Sequence, residues 1–211
     1  RNTARRAINA LSMDGVVYTV QGKGAYVSPA RTREGLLNLT SFSEEIRQRG
    51  MLPGSILLTF GRVTPPLKIC KALQIPADAE TFKIDRLRLA NNEPMALNVS
   101  YLPCSLCPQL ENQDLVTGSL YTYLEEMLKL GIESGERIIK AGAANEYEAD
   151  LLRIPVGFPV VITEGPSYLV DGTPVEYTKI IYRGDRYEFT FKALRRHGVK
   201  EENGVSFNGY S

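Results

Sequence analysis

Apolar and polar residues alternate most clearly from Phe82 to Pro103, FKIDRLRLANNEPMALNVSYLP. The pattern predicts two antiparallel strands joined at Asn91-Asn92, a pair that tolerates the left-handed backbone of tight turns. Side chains two apart on a strand share a face, so Arg86 and Arg88 are expected to project together, opposite the face of Ile84, Leu87 and Leu89. The phase is imperfect, because Ile84 shares its parity with Arg86; a bulge or a strand buried on both sides would reconcile them.

The other elements follow in chain order. Ala4, Ala7, Ile8 and Leu11 fall at helical spacing, and Asp14-Gly15 ends that helix. Val16 to Val20 and Ala25 to Val27 read as short strands around Gln21-Gly22-Lys23-Gly24. Ser28 to Gly35 is polar and aperiodic, a linker. Ser41 or Ser43 caps a helix through Arg49 that stops at Gly50. A strand over Gly54 to Thr64 precedes a short helix opened by Pro65-Pro66 and ending near Leu73. Leu106 to Leu115 is irregular, and Ser119 begins a helix to about Lys129. Ser134 to Ala143 is a strand and Asn145 caps a helix to Leu152. Two more strands, Pro159 to Val170 and Thr173 to Tyr182, turn at Asp171-Gly172. Helices interspersed among hairpin-linked strands predict an α+β fold with a mainly antiparallel sheet.

At 211 residues the chain has room for one sizeable domain and a small one. No apolar run is long enough to span a bilayer and no signal-peptide pattern is present, so a cytoplasmic protein without membrane contact is expected. Three cysteines in no disulfide-like pattern agree with a reducing compartment. Charge is uneven: residues 1–33 hold Arg1, Arg5, Arg6, Lys23, Arg31 and Arg33 against Asp14 alone, whereas the whole chain nets only +1. A basic head on a mildly acidic body suggests a nucleic-acid-facing segment joined to something that binds other ligands.

Two neighbouring guanidiniums repel, and they become favourable when a phosphate or carboxylate accepts their forked donors. The plainer reading of Arg86 and Arg88 is a surface pairing of each with Asp or Glu. Other chemistries fare worse. Cys104 and Cys107 have zinc spacing without a second pair, and His197, the sole histidine, lies in a polar C-terminal tail, which argues against a structural metal and a Ser-His-Asp hydrolase. Gly22-Lys23-Gly24 lacks phosphate-loop spacing. The acidic pairs Glu44-Glu45 and Glu125-Glu126 fall on helices and are expected to face solvent. No metal, cofactor or catalytic residue is expected.

A helix followed by a glycine-tipped hairpin is the second half of a winged helix-turn-helix, and RNTARRAINALSMDGVVYTVQGKGAYVS resembles the recognition helix and wing of GntR-type bacterial transcription regulators. The resemblance implies DNA contacts from Arg1, Thr3 and Arg5 on the helix and from Gln21 and Gly22 at the wing tip. Arginine suits guanine edges or phosphate, and a glycine tip permits close approach. Family members carry two further helices ahead of this one, so the chain reads as beginning inside the recognition helix, and operator binding is expected of the intact winged helix.

The body resembles the UTRA effector domain of the HutC subfamily, whose fold is shared with chorismate lyase. The matching blocks are SFSEEIRQRG at 41–50, RLRLANNEPMALNVSYLP at 86–103, GSLYTYL at 118–124, ANEYEADLL at 144–152, YLVDGTPVEY at 168–177 and DRYEF at 185–189. The resemblance implies a phosphate site at Phe42, Ser43, Arg86, Arg88, Ser119 and Tyr121, and a sugar end held by Glu176 and Tyr182. An uninterrupted strand puts Glu176 and Tyr182 on one face. The expected organisation is a partial winged-helix domain over 1–28, a linker over 29–35, an effector-binding domain over 36–192 and a tail over 193–211. The expected protein is no enzyme but a homodimeric repressor of sugar or amino-sugar uptake and catabolism genes, with DNA affinity changed by an anionic metabolite such as an amino-sugar phosphate. Two alternatives stay open: a chorismate-lyase-like enzyme acting on an aromatic carboxylate, and the same regulator with a carboxylate effector.

Overall fold

The structure is a computed structural model that describes residues 7–8, 17–20, 24–27, 32–35, 39–111 and 119–190. Ala7 and Ile8 are helical, and the rest of the helix expected around them lies outside the described residues. Strands β1 (Val17–Val20) and β2 (Gly24–Val27) pair antiparallel, as the hairpin reading expects. Part of the expected linker is not irregular: β3 (Thr32–Gly35) pairs in parallel with β11 (Tyr187–Thr190). A strand this short takes its order from its partner, which an aperiodic sequence does not reveal.

A seven-stranded antiparallel sheet forms the body. It contains β4 (Pro53–Val63), β5 (Thr81–Ala90), β6 (Glu93–Pro103), β7 (Ile132–Gly135), β8 (Ile138–Ala143), β9 (Pro159–Leu169) and β10 (Pro174–Arg183). Their order is β4-β5-β6-β10-β9-β7, with β8 also on β9. The β5–β6 turn is the one expected, with Asn91 at φ 49° and Asn92 at φ 66°; the Asn91 Oδ1 accepts from the Leu52 N–H at 2.9 Å.

Four helices serve this sheet. In α1 (Phe42–Gln48), Ser41 and Glu44 form a reciprocal capping box, and Gly50 at φ +70° follows the end. The second, α2 (Leu67–Leu73), ends at a left-handed Gln74. The third, α3 (Leu120–Thr122), is capped by Ser119 and widens into a π turn over Tyr123–Met127. The fourth, α4 (Glu146–Leu152), has an Asn145–Glu148 capping box.

Strand β5 is buried on both sides, which resolves its imperfect phase. Ile84 lies on the arginine face, as its parity requires and contrary to its expected grouping with Leu87 and Leu89, and joins a core with Phe82, Leu102, Leu120, Leu124 and Val175. Leu87 points the other way and packs with Leu97, Ala149, Leu152 and Ile181. Nearer the β5–β6 turn, the arginine face carries another apolar cluster: Ile46 of α1 with Ala90, Ala96, Tyr182 and Tyr187. The two clusters on this face are separated along the strands by Arg86, Arg88, Asn98 and Thr178, which opens a polar gap in an otherwise apolar layer.

The expected single strand over Ser134 to Ala143 is two strands. The break falls at Glu136 and Arg137, where the Glu136 N–H donates to the Pro166 carbonyl at 3.0 Å. The facing Gly165 sits at φ +154°, and a Cβ there would run into the Glu136 carbonyl. Alanine at Gly165 therefore has neither the backbone conformation nor the space. Gly165→Ala is expected to lower unfolding free energy by about 3 kcal/mol in denaturant titration. Gly157→Ala, at φ +78° with open space around it, is expected to cost about 1 kcal/mol.

Candidate functional site

A cavity of about 260 Å³ fills the polar gap between the two apolar clusters. Its wall includes Phe42, Arg86, Arg88, Ser119, Tyr121, Glu176 and Tyr182, so seven of the eight residues expected around a ligand lie together. Ser43, the eighth, is buried one layer back and accepts from Arg88 Nη2 at 2.9 Å. Strand parity assembles them. Arg86 faces Asn98 across β5–β6, Asn98 faces Ile180 and Ala96 faces Tyr182 across β6–β10, and Glu176 opposes Ser167 across β10–β9.

Arg86 and Arg88 are each only 4% exposed, which rules out surface ion pairs. Arg86 Nη2 donates to Asn98 Oδ1 at 3.1 Å, and Asn98 Nδ2 donates to Thr178 Oγ1 at 2.8 Å. Arg88 Nη1 donates to Ser55 Oγ at 3.3 Å, and its guanidinium lies 4.7 Å from the Phe42 ring centroid. Arg86 Nε and Nη1 and Arg88 Nε have no hydrogen-bond partner among the described residues. Burial, and then the neighbouring Arg86 charge, push the Arg88 pKa down to about 9. Burial pushes Arg86 down to about 10, an effect that Glu176 and Tyr121 partly offset. A base whose folded pKa falls below its unfolded value carries that cost throughout the neutral range, and the cost is relieved only as pH rises past the folded value.

The cavity's other side is a hydrogen-bonded cluster around Ser167. Arg137 Nη2 donates to Ser167 Oγ at 2.8 Å, Tyr121 Oη lies 3.1 Å from the same oxygen, and Ser167 Oγ donates to Glu176 Oε2 at 3.4 Å. Burial, reinforced by Glu176, pushes the Tyr121 phenol above its ordinary range. Asn98, Thr178, Ser167 and Arg137 were not anticipated from sequence. For Arg137 a signal existed, since Glu136-Arg137 places two charges inside what otherwise reads as one strand.

Glu45 corrects a sequence expectation. It is 5% exposed, lies in the cavity wall and pairs with Arg49 at 2.7 Å, instead of facing solvent. Burial pushes its carboxyl upward against the pull of Arg49. Glu44 is spent on the capping box, and Glu125 and Glu126 are exposed as expected. The residues expected to touch DNA, Arg1, Thr3, Arg5, Gln21 and Gly22, lie outside the described residues, as does His197. Cys104 and Cys107 are free thiols, with burial raising Cys107 to about 12. Among the described residues no group of three or more His, Cys, Asp or Glu side chains is placed to hold a metal.

Among the described residues, helices lie on both faces of a mainly antiparallel sheet, and a polar cavity opens between the apolar clusters on one of those faces. The UTRA domain model matches residues 48–188. The chain is 35% identical over 189 residues to the HTH-type transcriptional repressor NagR of Bacillus subtilis, covering 90% of this chain and 77% of that protein. It is 31% identical to the mannosyl-D-glycerate transport/metabolism system repressor MngR of Escherichia coli, with coverage of 93% and 81%. The crystal structure of PhnF from Mycobacterium smegmatis shares the fold at a TM-score of 0.74 and 24% identity, covering 92% of this chain and 85% of that one. The chain belongs to the UTRA-domain family of GntR-type transcription regulators, in the HutC subfamily.

Taking a charge out of water costs several kcal/mol, and the hydrogen bond from Arg86 to the neutral Asn98 does not repay it as a carboxylate would. Arg86→Met is therefore expected to leave the unliganded protein as stable as the wild type, or more stable by about 1–2 kcal/mol, in thermal unfolding at pH 7. A loss of stability would mean that the bond to Asn98 outweighs the cost of the buried charge.

Proposed function

We propose that this protein represses genes of sugar or amino-sugar uptake and catabolism, and that a phosphorylated sugar bound in the cavity changes its affinity for operator DNA. The single observation that carries the effector assignment is the buried pair of guanidiniums with unpaired donors in the cavity wall. A dianionic phosphate would offset the repulsion between them and accept those donors. Ser43, Ser119, Tyr121 and the Phe42 ring complete that end, and Glu176 and Tyr182 would hold the sugar. The naming of a relative as repressor of a mannosyl-D-glycerate system supports a sugar-linked role. The naming of relatives as transcriptional regulators supports a non-enzymatic, cytoplasmic protein over a lyase acting on an aromatic carboxylate.

The DNA-reading head would include residues 1–28, contacting operator through Arg1, Thr3, Arg5, Gln21 and Gly22. Residues 29–35 would connect it to the effector-binding domain over 36–192, followed by a tail over 193–211. A physical route from cavity to connector runs through β11. Phe189 lines the cavity, and Tyr187 and Phe189 lie with ring centroids 4.3 and 5.3 Å from that of Tyr182. β11 is in turn zipped to β3, the last four residues of the connector. A ligand that repositions Tyr182 and Phe189 would bias β3, and in a homodimer the separation of the two heads. Operator half-sites have fixed spacing, so head separation trades directly against DNA affinity.

Calorimetric titration with glucosamine 6-phosphate and with glucosamine tests the reading. Binding is expected only for the phosphorylated sugar, with a loss of about 100-fold or more in the Arg86→Ala, Arg88→Ala double variant. Equal binding of both sugars, or retention of affinity by the double variant, would remove the phosphate assignment. The pH dependence separates the effector classes. Affinity for a phosphate monoester is expected to climb from pH 5 to 7, as the ligand loses its second proton near a pKa of about 6. Above about pH 9 it is expected to decline, as the arginine pair begins to lose charge. A carboxylate effector, already ionised at pH 5, would show no such climb.

A further inference from the structure

We infer that residues 39–41 are a strap across the cavity, latched where Leu39 seats on Gly135, and that a ligand enters and leaves as the strap unlatches. The inference rests on the proposed phosphosugar reading and concerns how that same site opens and closes.

The two ends of the strap stand on different parts of the fold. At one end Ser41 caps α1, donating its N–H to Glu44 Oε2 at 2.8 Å and accepting from the Glu44 N–H at 3.2 Å. The helix behind it rests on Ala90, Ala96 and Tyr182, from β5, β6 and β10. At the other end Leu39 lies against Gly135 of β7, the strand beyond β9. Between these supports lie cavity side chains of β10 and β9, Glu176, Thr178 and Thr163, and Leu39, Thr40 and Ser41 line the same space. From β7 to β10 is two strand spacings, about 10 Å, which three extended residues just reach.

The seat is made by the absence of a side chain. A Cβ at Gly135 would come within 3.1 Å of Leu39 Cδ1, 3.0 Å of Arg137 Nη1 and 3.3 Å of the Pro166 carbonyl oxygen. The bare strand lets the leucine methyl rest on it, with the Arg137 guanidinium alongside. Among the described residues no hydrogen bond ties Leu39 or Thr40 to the sheet. The α1 end is thus fixed by directional bonds and the β7 end by apolar contact alone. Leu39 is only half-buried, so that contact is the weaker hold, and the strap swings about Ser41 when it opens. Leu39 follows the end of β3 by four residues, so the strap continues the connector. Opening the cavity and moving the connector are then one motion, and a ligand held beneath the strap restrains both.

The test measures exchange of glucosamine 6-phosphate by phosphorus NMR line shapes, with affinity from calorimetry, in wild type, Leu39→Ala and Gly135→Val. Leu39→Ala removes the latch, whereas Gly135→Val fills its seat and leaves residue 39 unchanged. A latch that closes over the empty and the occupied cavity alike holds back entry and exit equally. Both variants are therefore expected to raise the association and dissociation rates together by about 5- to 20-fold, with affinity within about twofold of wild type. Leu39→Ala decides the matter where Gly135→Val disturbs β7. Faster dissociation alone, with affinity falling in step, would make Leu39 an ordinary wall contact and overturn the inference, as would unchanged rates in Leu39→Ala. In either case binding of the sugar phosphate by wild type would leave the phosphosugar reading in place. No binding of glucosamine 6-phosphate by wild type would overturn that reading and this inference together.

Discussion

Two like charges buried two residues apart on an inner strand set the terms for everything around them. Arg86 and Arg88 cannot reach bulk water, and the fold supplies them with neutral acceptors, Asn98, Ser43 and Ser55, in place of a buried carboxylate bridge. Neutral acceptors steady the guanidiniums without cancelling their charge. The result is positive potential in a low-dielectric wall, where an incoming anion interacts far more strongly than it would at the surface. Full pairing within the protein would have made a more comfortable core and left no unpaired arginine donors in the cavity wall.

The sheet is arranged around that choice. One face is closed by α2 and α4 over an ordinary apolar layer, whereas the other is closed only at its ends, by α1 on one side and α3 on the other. Because all the intervening strands are antiparallel and in register, the residues left between the two apolar ends come from three adjacent strands and point into one space. The cavity is a consequence of where the apolar residues stop. That is also why Glu45, on the cavity side of α1, is buried despite belonging to an acidic pair.

Most of the architecture was legible in the chain because its signals are local. The Asn91-Asn92 turn, the capping residues Ser41, Ser119 and Asn145, and the alternation in β5, β6 and β10 each announce an element within a few residues. The arginine pair was legible as chemistry, but its burial was not, since alternation says which residues share a face and not what covers that face. The interruption between β7 and β8 escaped because its cause, Gly165 with the Pro166 carbonyl, lies some thirty residues further along. The β3–β11 pairing escaped for a similar reason: four polar residues have no pattern of their own and are ordered by a strand more than 150 residues later. The Ser167 cluster required three-dimensional neighbours, because its members come from four separate segments.

The parallel sense of β3 and β11 has a mechanical consequence. Thr32 pairs with Tyr187 and Gly35 with Thr190, so the first residues of both strands lie at the same end. Tension arriving along the chain from the N-terminal side enters at Thr32, beside the point where β11 is tethered to the sheet through β10. Load applied at one shared end peels a ladder bond by bond, whereas load at opposite ends must shear all its bonds at once. The joint is therefore a zipper, and it releases under a far smaller pull than an antiparallel clasp of the same length loaded in shear.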